Sequence, residues 1–124
     1  VKLTLDTGHM LFAQGDSKKI FENYNDRLFH VHCKDIRKNV LEKSLKEDLS
    51  FREAFLEGAF TVPGDGCIDY KPLFDILKKN SYSGWLVVEA EQDPKKANPL
   101  EYAIKGYKYL NDTLKKSEIE IDKC

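Results

Sequence analysis

Three short apolar segments of this chain each end in a polar side chain that can bind a cation, and each is followed by a helical pattern. Asp6 ends the first segment, His32 the second and Glu89 the third. Strand and helix patterns therefore alternate three times, which is typical of βα units on a parallel sheet. Right-handed crossovers bring the carboxyl ends of such strands to one edge, so we expect these three side chains to lie close together.

Local patterns predict the bounds of the elements. We expect strands at 2–6, 27–33 and 84–90, helices after the capping residues Asp16, Ser50 and Asp69, and a long helix at 99–116. Residues 7–9 should form a turn after the first strand, because Gly8 permits one. The charged stretch 34–49 is either a solvated loop or partly helical. Residues 62–67 read as a turn-rich loop with two glycines.

Alternation along the strands predicts which side chains share a face. His32 should share its face with His30 and Leu28, whereas Phe29 should lie on the opposite, apolar face under the helices. Trp85 is expected to pack in the core rather than to carry substrate.

Composition narrows the class of protein. The chain has 124 residues, 41% of them hydrophobic, which is enough for one small core, and no apolar run is long enough to span a bilayer. Lys and Arg total 20 against 21 Asp and Glu, so no cationic excess favours nucleic acid. Three widely spaced cysteines, Cys33, Cys67 and Cys124, indicate reduced thiols and a cytoplasmic location. Val1 is not an initiator methionine, and we expect a fragment of a longer polypeptide.

The three strand-end residues favour a metal site only when they are considered together. Asp6 alone is explained by an Asx turn, His32 by a buried core histidine and Glu89 by a charge at a frayed strand end. Their joint occurrence at equivalent positions favours a hard divalent cation, because mixed oxygen and imidazole ligation suits manganese, cobalt or magnesium. Glu91 lies on the same strand face as Glu89, and we expect it to orient the metal ligands without binding the metal itself. His9 follows Asp6 closely in the chain.

Several runs resemble known sequences. Residues 3–10 (LTLDTGHM) and 30–32 (HVH) resemble a signature of the xylose-isomerase-like sugar isomerases and epimerases. Residues 60–70 (FTVPGDGCIDY), 84–94 (GWLVVEAEQDP) and 98–103 (NPLEYA), with the shorter run FREA at Phe51, look like the inosose dehydratases of that group. The resemblance spans nearly the whole chain.

The resemblance implies an α/β fold: the C-terminal part, about three βα units, of a xylose-isomerase-like (β/α)8 TIM barrel. Residues 1–116 would belong to the barrel and 117–124 would form a charged C-terminal tail. Asp6, His32 and Glu89 match three of the family's four metal ligands. The fourth, a glutamate, is expected upstream of Val1, so we expect the chain alone to bind metal weakly, to associate with other copies and to be inactive.

The remaining candidate site residues are assigned as follows. We predict catalytic roles for His9 and Glu91, and substrate binding by His9, Lys34, Arg37 and Asp65. The roles assigned to His9 and Arg37 rest on the resemblance. Asp65 lies in the glycine-rich loop, which either closes over substrate or merely introduces the next helix.

The function implied is that of a hydro-lyase: metal-dependent dehydration of 2-keto-myo-inositol (scyllo-inosose) through a stabilised enediolate, with manganese, cobalt or magnesium as cofactor and glutathione as a helper. The partner is a small polyhydroxylated ketone, with no nucleic acid and no membrane, and a homo-oligomer is an open alternative to a monomer. Two other functions remain open at this point. One is a keto-sugar isomerase or epimerase; the other is a phosphodiester-cleaving barrel, which three histidines and a near-zero net charge disfavour.

Overall fold

Residues 1–122, which are the residues that this computed structural model describes, form five strands and six helices. The strands are β1 (Leu3–Asp6), β2 (Leu28–Cys33), β3 (Asp35–Ile36), β4 (Phe60–Thr61) and β5 (Trp85–Val88). The helices are α1 (Thr7–Phe12), α2 (Ser17–Asn23), α3 (Lys38–Lys46), α4 (Phe51–Leu56), α5 (Tyr70–Lys79) and α6 (Pro99–Lys116). No helix among the described residues is both long and apolar enough to cross a bilayer.

A three-stranded parallel sheet in the order β1–β2–β5 aligns the predicted strand ends. Asp6 is the register partner of His32, which in turn pairs with Val87 of β5. The backbone N–H of Glu89 donates to the carbonyl of Cys33 at 3.3 Å, which continues the alignment just beyond β5. The parallel α/β arrangement predicted from the sequence is confirmed.

The core lies between one face of this sheet and helices α2, α5 and α6. Leu5 and Val31 contribute from the strands, and Phe21, Phe74 and Leu110 contribute from the three helices. Each is almost fully buried, which is worth about 1.5–3 kcal/mol per large apolar side chain. The amphipathic patterns of the sequence therefore direct the helices to a single face of the sheet.

The predicted alternation fails at the start of β2. The pairing of β1 with β2 skips Phe29, because Leu3 pairs with Leu28 and Thr4 pairs with His30. This irregularity turns Leu28 into the core and leaves Phe29 49% exposed, the reverse of the prediction. The prediction that Trp85 is a core residue is also wrong: its side chain is 57% exposed on the face opposite the helices.

Three elements, α1, β3 and β4, were not predicted. Residues 7–12 form helix α1 rather than only a turn, because the Asp6 carboxylate accepts the backbone N–H of His9 at 2.9 Å and so caps the helix. Strands β3 and β4 pair antiparallel and pack with α3 and α4 around a second apolar cluster that includes Ile36 and Phe60. Helix α3 shows that the charged stretch is partly helical, and the predicted cap at Ser50 is present.

The segment after α6 is attached to the rest of the fold. Ser117 is buried, Ile119 packs against the main core, and the Glu118 carboxylate lies 2.9 Å from Lys78 Nζ. Helix α6 ends at Lys116, where the sequence places the start of the tail.

Cys33 and Cys67 are free thiols, whereas Cys124 lies outside the described residues.

A buried carboxylate shapes the loop between β4 and α5. The side chain of Asp35 is fully buried and accepts the backbone N–H groups of Ile36, Gly64 and Ile68 at 2.8, 3.2 and 2.9 Å. Burial raises the pKa of Asp35, against the opposing effect of these hydrogen bonds. The loop folds around this carboxylate, and Gly66 lies against it without room for a side chain.

We predict that Gly66→Ala destabilises the chain by about 1–3 kcal/mol. The new Cβ would lie 2.5 Å from the carbonyl oxygen of Ile36 and against the Asp35 carboxylate, so backbone must move. Urea unfolding followed by circular dichroism measures the loss. Gly15→Ala is the matched control, because the atom it meets first is Met10 Sδ, on a flexible side chain, and its effect should be smaller. Equal losses in both variants would contradict this account of the loop.

Candidate metal and substrate site

The structure brings together the three predicted metal ligands at the carboxyl edge of the sheet. One ligand atom each of Asp6, His32 and Glu89 lies within 4.8 Å of the other two. His32 Nδ1 lies 2.6 Å from Glu89 Oε2 and 3.8 Å from Asp6 Oδ2. The aligned register of β1 and β2 produces this convergence, because it places Asp6 directly beside His32.

The chemistry of these atoms fits a divalent cation. Glu89 Oε2 is buried, and although His32 Nδ1 lies 2.6 Å away, that contact lacks the angles of a hydrogen bond, so the oxygen accepts none within the described residues. A buried acceptor without a donor is unfavourable by about 1–3 kcal/mol, and a bound cation would remove that penalty. Two carboxylates and one imidazole are ligands that manganese, cobalt and magnesium accept.

Lys34 extends into the middle of the same cluster. Its ammonium nitrogen lies 3.0 Å from Asp6 Oδ2, 3.3 Å from Glu91 Oε2 and 3.5 Å from Glu89 Oε1, and its side chain is only 1% exposed. Burial opposes the charge, but the carboxylates outweigh it and raise the pKa of Lys34. Lys34 is therefore a fixed positive charge in the site. We call Asp6, His9, His32, Lys34, Glu89 and Glu91 the strand-end cluster.

The formal charges of the strand-end cluster do not balance. Three carboxylates face one ammonium, so with neutral imidazoles two negative charges remain. That excess equals the charge of one divalent cation. Close carboxylates repel each other strongly away from bulk water, so charge balance and ligand geometry both favour the same occupant.

His9 and Glu91 form the accessible side of the cluster. His9 Nε2 lies 2.9 Å from Glu91 Oε2 and 3.2 Å from Lys34 Nζ. Burial alone would raise the pKa of Glu91, but the hydrogen bond with His9 and the charge of Lys34 hold this pKa below its usual value. The His9 ring meets Phe51 and Phe60 edge to face, with centroids 5.7 and 5.1 Å away, and these aromatic walls were not anticipated from the sequence.

Arg37 and Asp65 lie in a separate network at the glycine-rich loop. Arg37 Nη2 donates to Asp65 Oδ2 at 2.7 Å and to Thr61 Oγ1 at 3.1 Å, and Nη1 donates to the carbonyl of Gly58 at 2.7 Å. Asp65 also pairs with Lys105; despite partial burial, these partners hold the pKa of Asp65 below its usual value. An open cleft of about 490 Å³ adjoins the network. The two residues contact one another rather than the strand-end cluster.

A parallel sheet packed against helices, with polar side chains at the carboxyl ends of its strands, is typical of α/β barrel proteins, whose functional sites lie at that edge. The family model described as "Xylose isomerase-like TIM barrel" matches residues 1–113. The chain belongs to this family. A solved structure described as a xylose isomerase-like TIM barrel/4-hydroxyphenylpyruvate dioxygenase fusion protein has the same fold, with a TM-score of 0.63 at 22% identity over 98% of this chain and 19% of that one.

Curated relatives narrow the comparison and confirm the resemblance seen in the sequence motifs. The chain is 54% identical over 112 residues to the inosose dehydratase of Clostridium beijerinckii, covering 90% of this chain and 38% of that protein. It is 52% identical over 115 residues to the inosose dehydratase of Histophilus somni, covering 90% and 39%. The chain thus spans less than half the length of these relatives.

We predict that Lys34→Met lowers the free energy of unfolding by about 3–5 kcal/mol, because removing a buried cation leaves its carboxylate partners uncompensated. Urea unfolding without added metal measures the loss. Lys38→Met is the matched control: its ammonium is exposed and lies 3.8 Å from Glu42, a contact worth less than about 1 kcal/mol. If the two variants lose equal stability, Lys34 does not neutralise the cluster as described.

Proposed function

We propose that this chain takes part in the metal-dependent dehydration of 2-keto-myo-inositol (scyllo-inosose), a hydro-lyase reaction. The observation that carries the proposal is its 54% identity, over 90% of its length, to a relative named inosose dehydratase. The strand-end cluster supports it, because removing water from a hydroxy ketone needs a polarised carbonyl and a proton donor for the departing hydroxyl.

Asp6, His32 and Glu89 would hold the cation, with manganese, cobalt or magnesium as the proposed metals. When bound, such a cation supplies Lewis-acid polarisation of the ketone. Lys34 offsets part of the negative charge of the carboxylates, so that the electron-rich oxygens of a polyol are not repelled. Its fixed charge also favours negative charge that develops on a substrate oxygen.

His9 is the proposed proton donor to the departing hydroxyl. Its side chain is 41% exposed, so a substrate can reach the ring, whereas Lys34 beside it is buried. Glu91 contacts Nε2 and orients the imidazole, which is the role of a carboxylate partner in general acid catalysis. In the reaction a general base takes the proton from the carbon beside the ketone, and the electron pair left there forms the new C=C bond and expels the hydroxyl of the next carbon, which takes a proton from His9 and departs as water.

Arg37 and Asp65, which pair at the glycine-rich loop, are the proposed substrate-binding groups, and Thr61 connects them to the segment after β5 that contains Glu91. Thr61 Oγ1 donates to Asp65 at 2.6 Å and accepts from Gln92 Nε2 at 3.1 Å. A hydroxyl-rich substrate that binds to the loop would therefore also affect the position of the segment beside Glu91. A cytoplasmic location, which rests on the three widely spaced cysteines, and glutathione as a helper, which rests on the family resemblance, are further parts of the proposal; a homo-oligomer remains an alternative to a monomer.

We predict that Glu89→Gln weakens manganese binding at least about tenfold, because it replaces a charged ligand by a neutral amide. Isothermal titration of the chain with Mn²⁺ measures the affinity, which should be weak but detectable in the wild type. Glu101→Gln, an exposed substitution on α6, should leave the affinity unchanged. Equal affinities in all three proteins would rule out Glu89 as a ligand.

Activity is tested in a chimera in which this chain replaces the matching segment of the Clostridium beijerinckii relative. We expect the chimera to convert inosose to the trihydroxycyclohexanedione, seen as ultraviolet absorbance, with loss on chelation and recovery on adding Mn²⁺. Circular dichroism and size-exclusion chromatography check that the chimera is folded. A folded chimera that yields only an isomer of the substrate would support the keto-sugar isomerase alternative and overturn the dehydratase proposal.

A further inference from the structure

A buried set of hydroxyl hydrogen bonds lies directly beneath the strand-end cluster. Thr7 Oγ1 lies 2.7 Å from Tyr70 Oη, 2.7 Å from the carbonyl oxygen of Lys34 and 3.2 Å from that of His32. Tyr70 Oη donates to the Lys34 carbonyl at 2.9 Å, and the Lys34 N–H donates to Thr7 Oγ1 at 3.2 Å. Thr7 and Tyr70 are fully buried. These bonds join three segments that are distant in sequence.

The hydroxyl network lies next to the proposed metal ligands in the chain. Thr7 directly follows Asp6, and Lys34 comes two residues after His32. The network therefore holds together the ends of β1 and β2, the two strands that carry these ligands. Gly8 lets α1 approach this point: a Cβ there would lie 2.8 Å from Lys34 Cγ.

Tyr70, in helix α5, lies on the third segment that the hydroxyl network joins. Its ring packs in the main core against Phe74, with centroids 5.6 Å apart, so the position of its hydroxyl is fixed by the core. Two hydroxyls and three backbone groups form this network, and removing the Tyr70 hydroxyl takes away one of the two hydroxyl donors of the Lys34 carbonyl. The spacing of Asp6 and His32 thus depends on a hydroxyl that touches neither side chain.

We infer that Tyr70 is a positioning residue for the strand-end cluster: through Thr7 and the Lys34 backbone, its hydroxyl sets the separation of Asp6 and His32 and the direction of the Lys34 side chain. The inference rests on the proposed function, because it assigns Tyr70 a part in cation binding. Groups that orient metal ligands typically contribute 10–100-fold to metal affinity.

The test compares Tyr70→Phe with Tyr82→Phe. Tyr82 also donates its phenolic hydroxyl to a backbone carbonyl, that of Trp85 at 3.0 Å, but at the opposite end of β5 from the cluster. Mn²⁺ affinity is measured by titration in conditions where urea curves show each variant to be fully folded. Tyr70→Phe should weaken binding about tenfold or more, and Tyr82→Phe should leave it within about twofold.

A metal-free measurement separates this inference from the proposed function. Amide hydrogen exchange should show faster exchange of the Lys34 N–H in Tyr70→Phe and in Thr7→Val, with protection restored in Thr7→Ser, which keeps the hydroxyl. If the wild type binds no Mn²⁺, the metal part of the proposed function fails and the exchange data alone decide the positioning role. Unchanged Lys34 protection in Tyr70→Phe overturns the inference, as does unchanged Mn²⁺ affinity where the wild type binds.

Discussion

The ammonium of Lys34 among three carboxylates is the interaction on which the site depends. Asp6, Glu89 and Glu91 all lie within 3.5 Å of Lys34 Nζ, and two unit charges about 4 Å apart near a protein surface interact by roughly 4 kcal/mol. Without the Lys34 ammonium between them, the carboxylates would repel one another and the strand ends would separate. The fold can gather these acids only because it also buries a lysine at the same point.

The backbone supplies the geometry that this charge arrangement requires. Parallel pairing sets Asp6 beside His32, and the hydroxyls of Thr7 and Tyr70 fasten the two strand ends to each other and to α5. The core under the sheet fixes Tyr70 in turn. Core packing thus positions the Tyr70 hydroxyl, and the hydroxyl in turn positions the strand ends that carry the charged groups. A change in the packing of the core would therefore alter the site through the position of this one hydroxyl.

Sequence patterns predicted the parts of this arrangement that follow from chain direction alone. Asp6, His32 and Glu89 were found because parallel strands expose their carboxyl ends at one edge, whatever the side chains between them do. One failure came where a single residue changed the phase of a strand. Skipping Phe29 in the pairing reversed Leu28 and Phe29, and no local propensity signals such an irregularity.

Long-range contacts were the other limit of the sequence analysis. Lys34 was predicted as a substrate-binding residue, but its position among the carboxylates depends on Asp6 and Glu89, which lie far from it in sequence. The pair of Arg37 with Asp65 is likewise set by the antiparallel pairing of β3 with β4, two short strands without a clear pattern. Periodicity reports burial along one element and carries no information on which charges meet across elements.

The hydroxyl of Thr61 joins the glycine-rich loop to the segment that follows β5. It donates to Asp65 and accepts hydrogen bonds from Arg37 and from Gln92, the residue after Glu91. One oxygen therefore serves both the loop that we propose to contact substrate and the segment that orients His9. The bond from Gln92 is made by its side-chain Nε2, and Glu91 is the adjacent residue, so the link from the loop to Glu91 runs through one side chain and one peptide unit. The candidate substrate contacts and the candidate proton donor, which were predicted as separate residues, are therefore connected through Thr61, Gln92 and the adjacent Glu91.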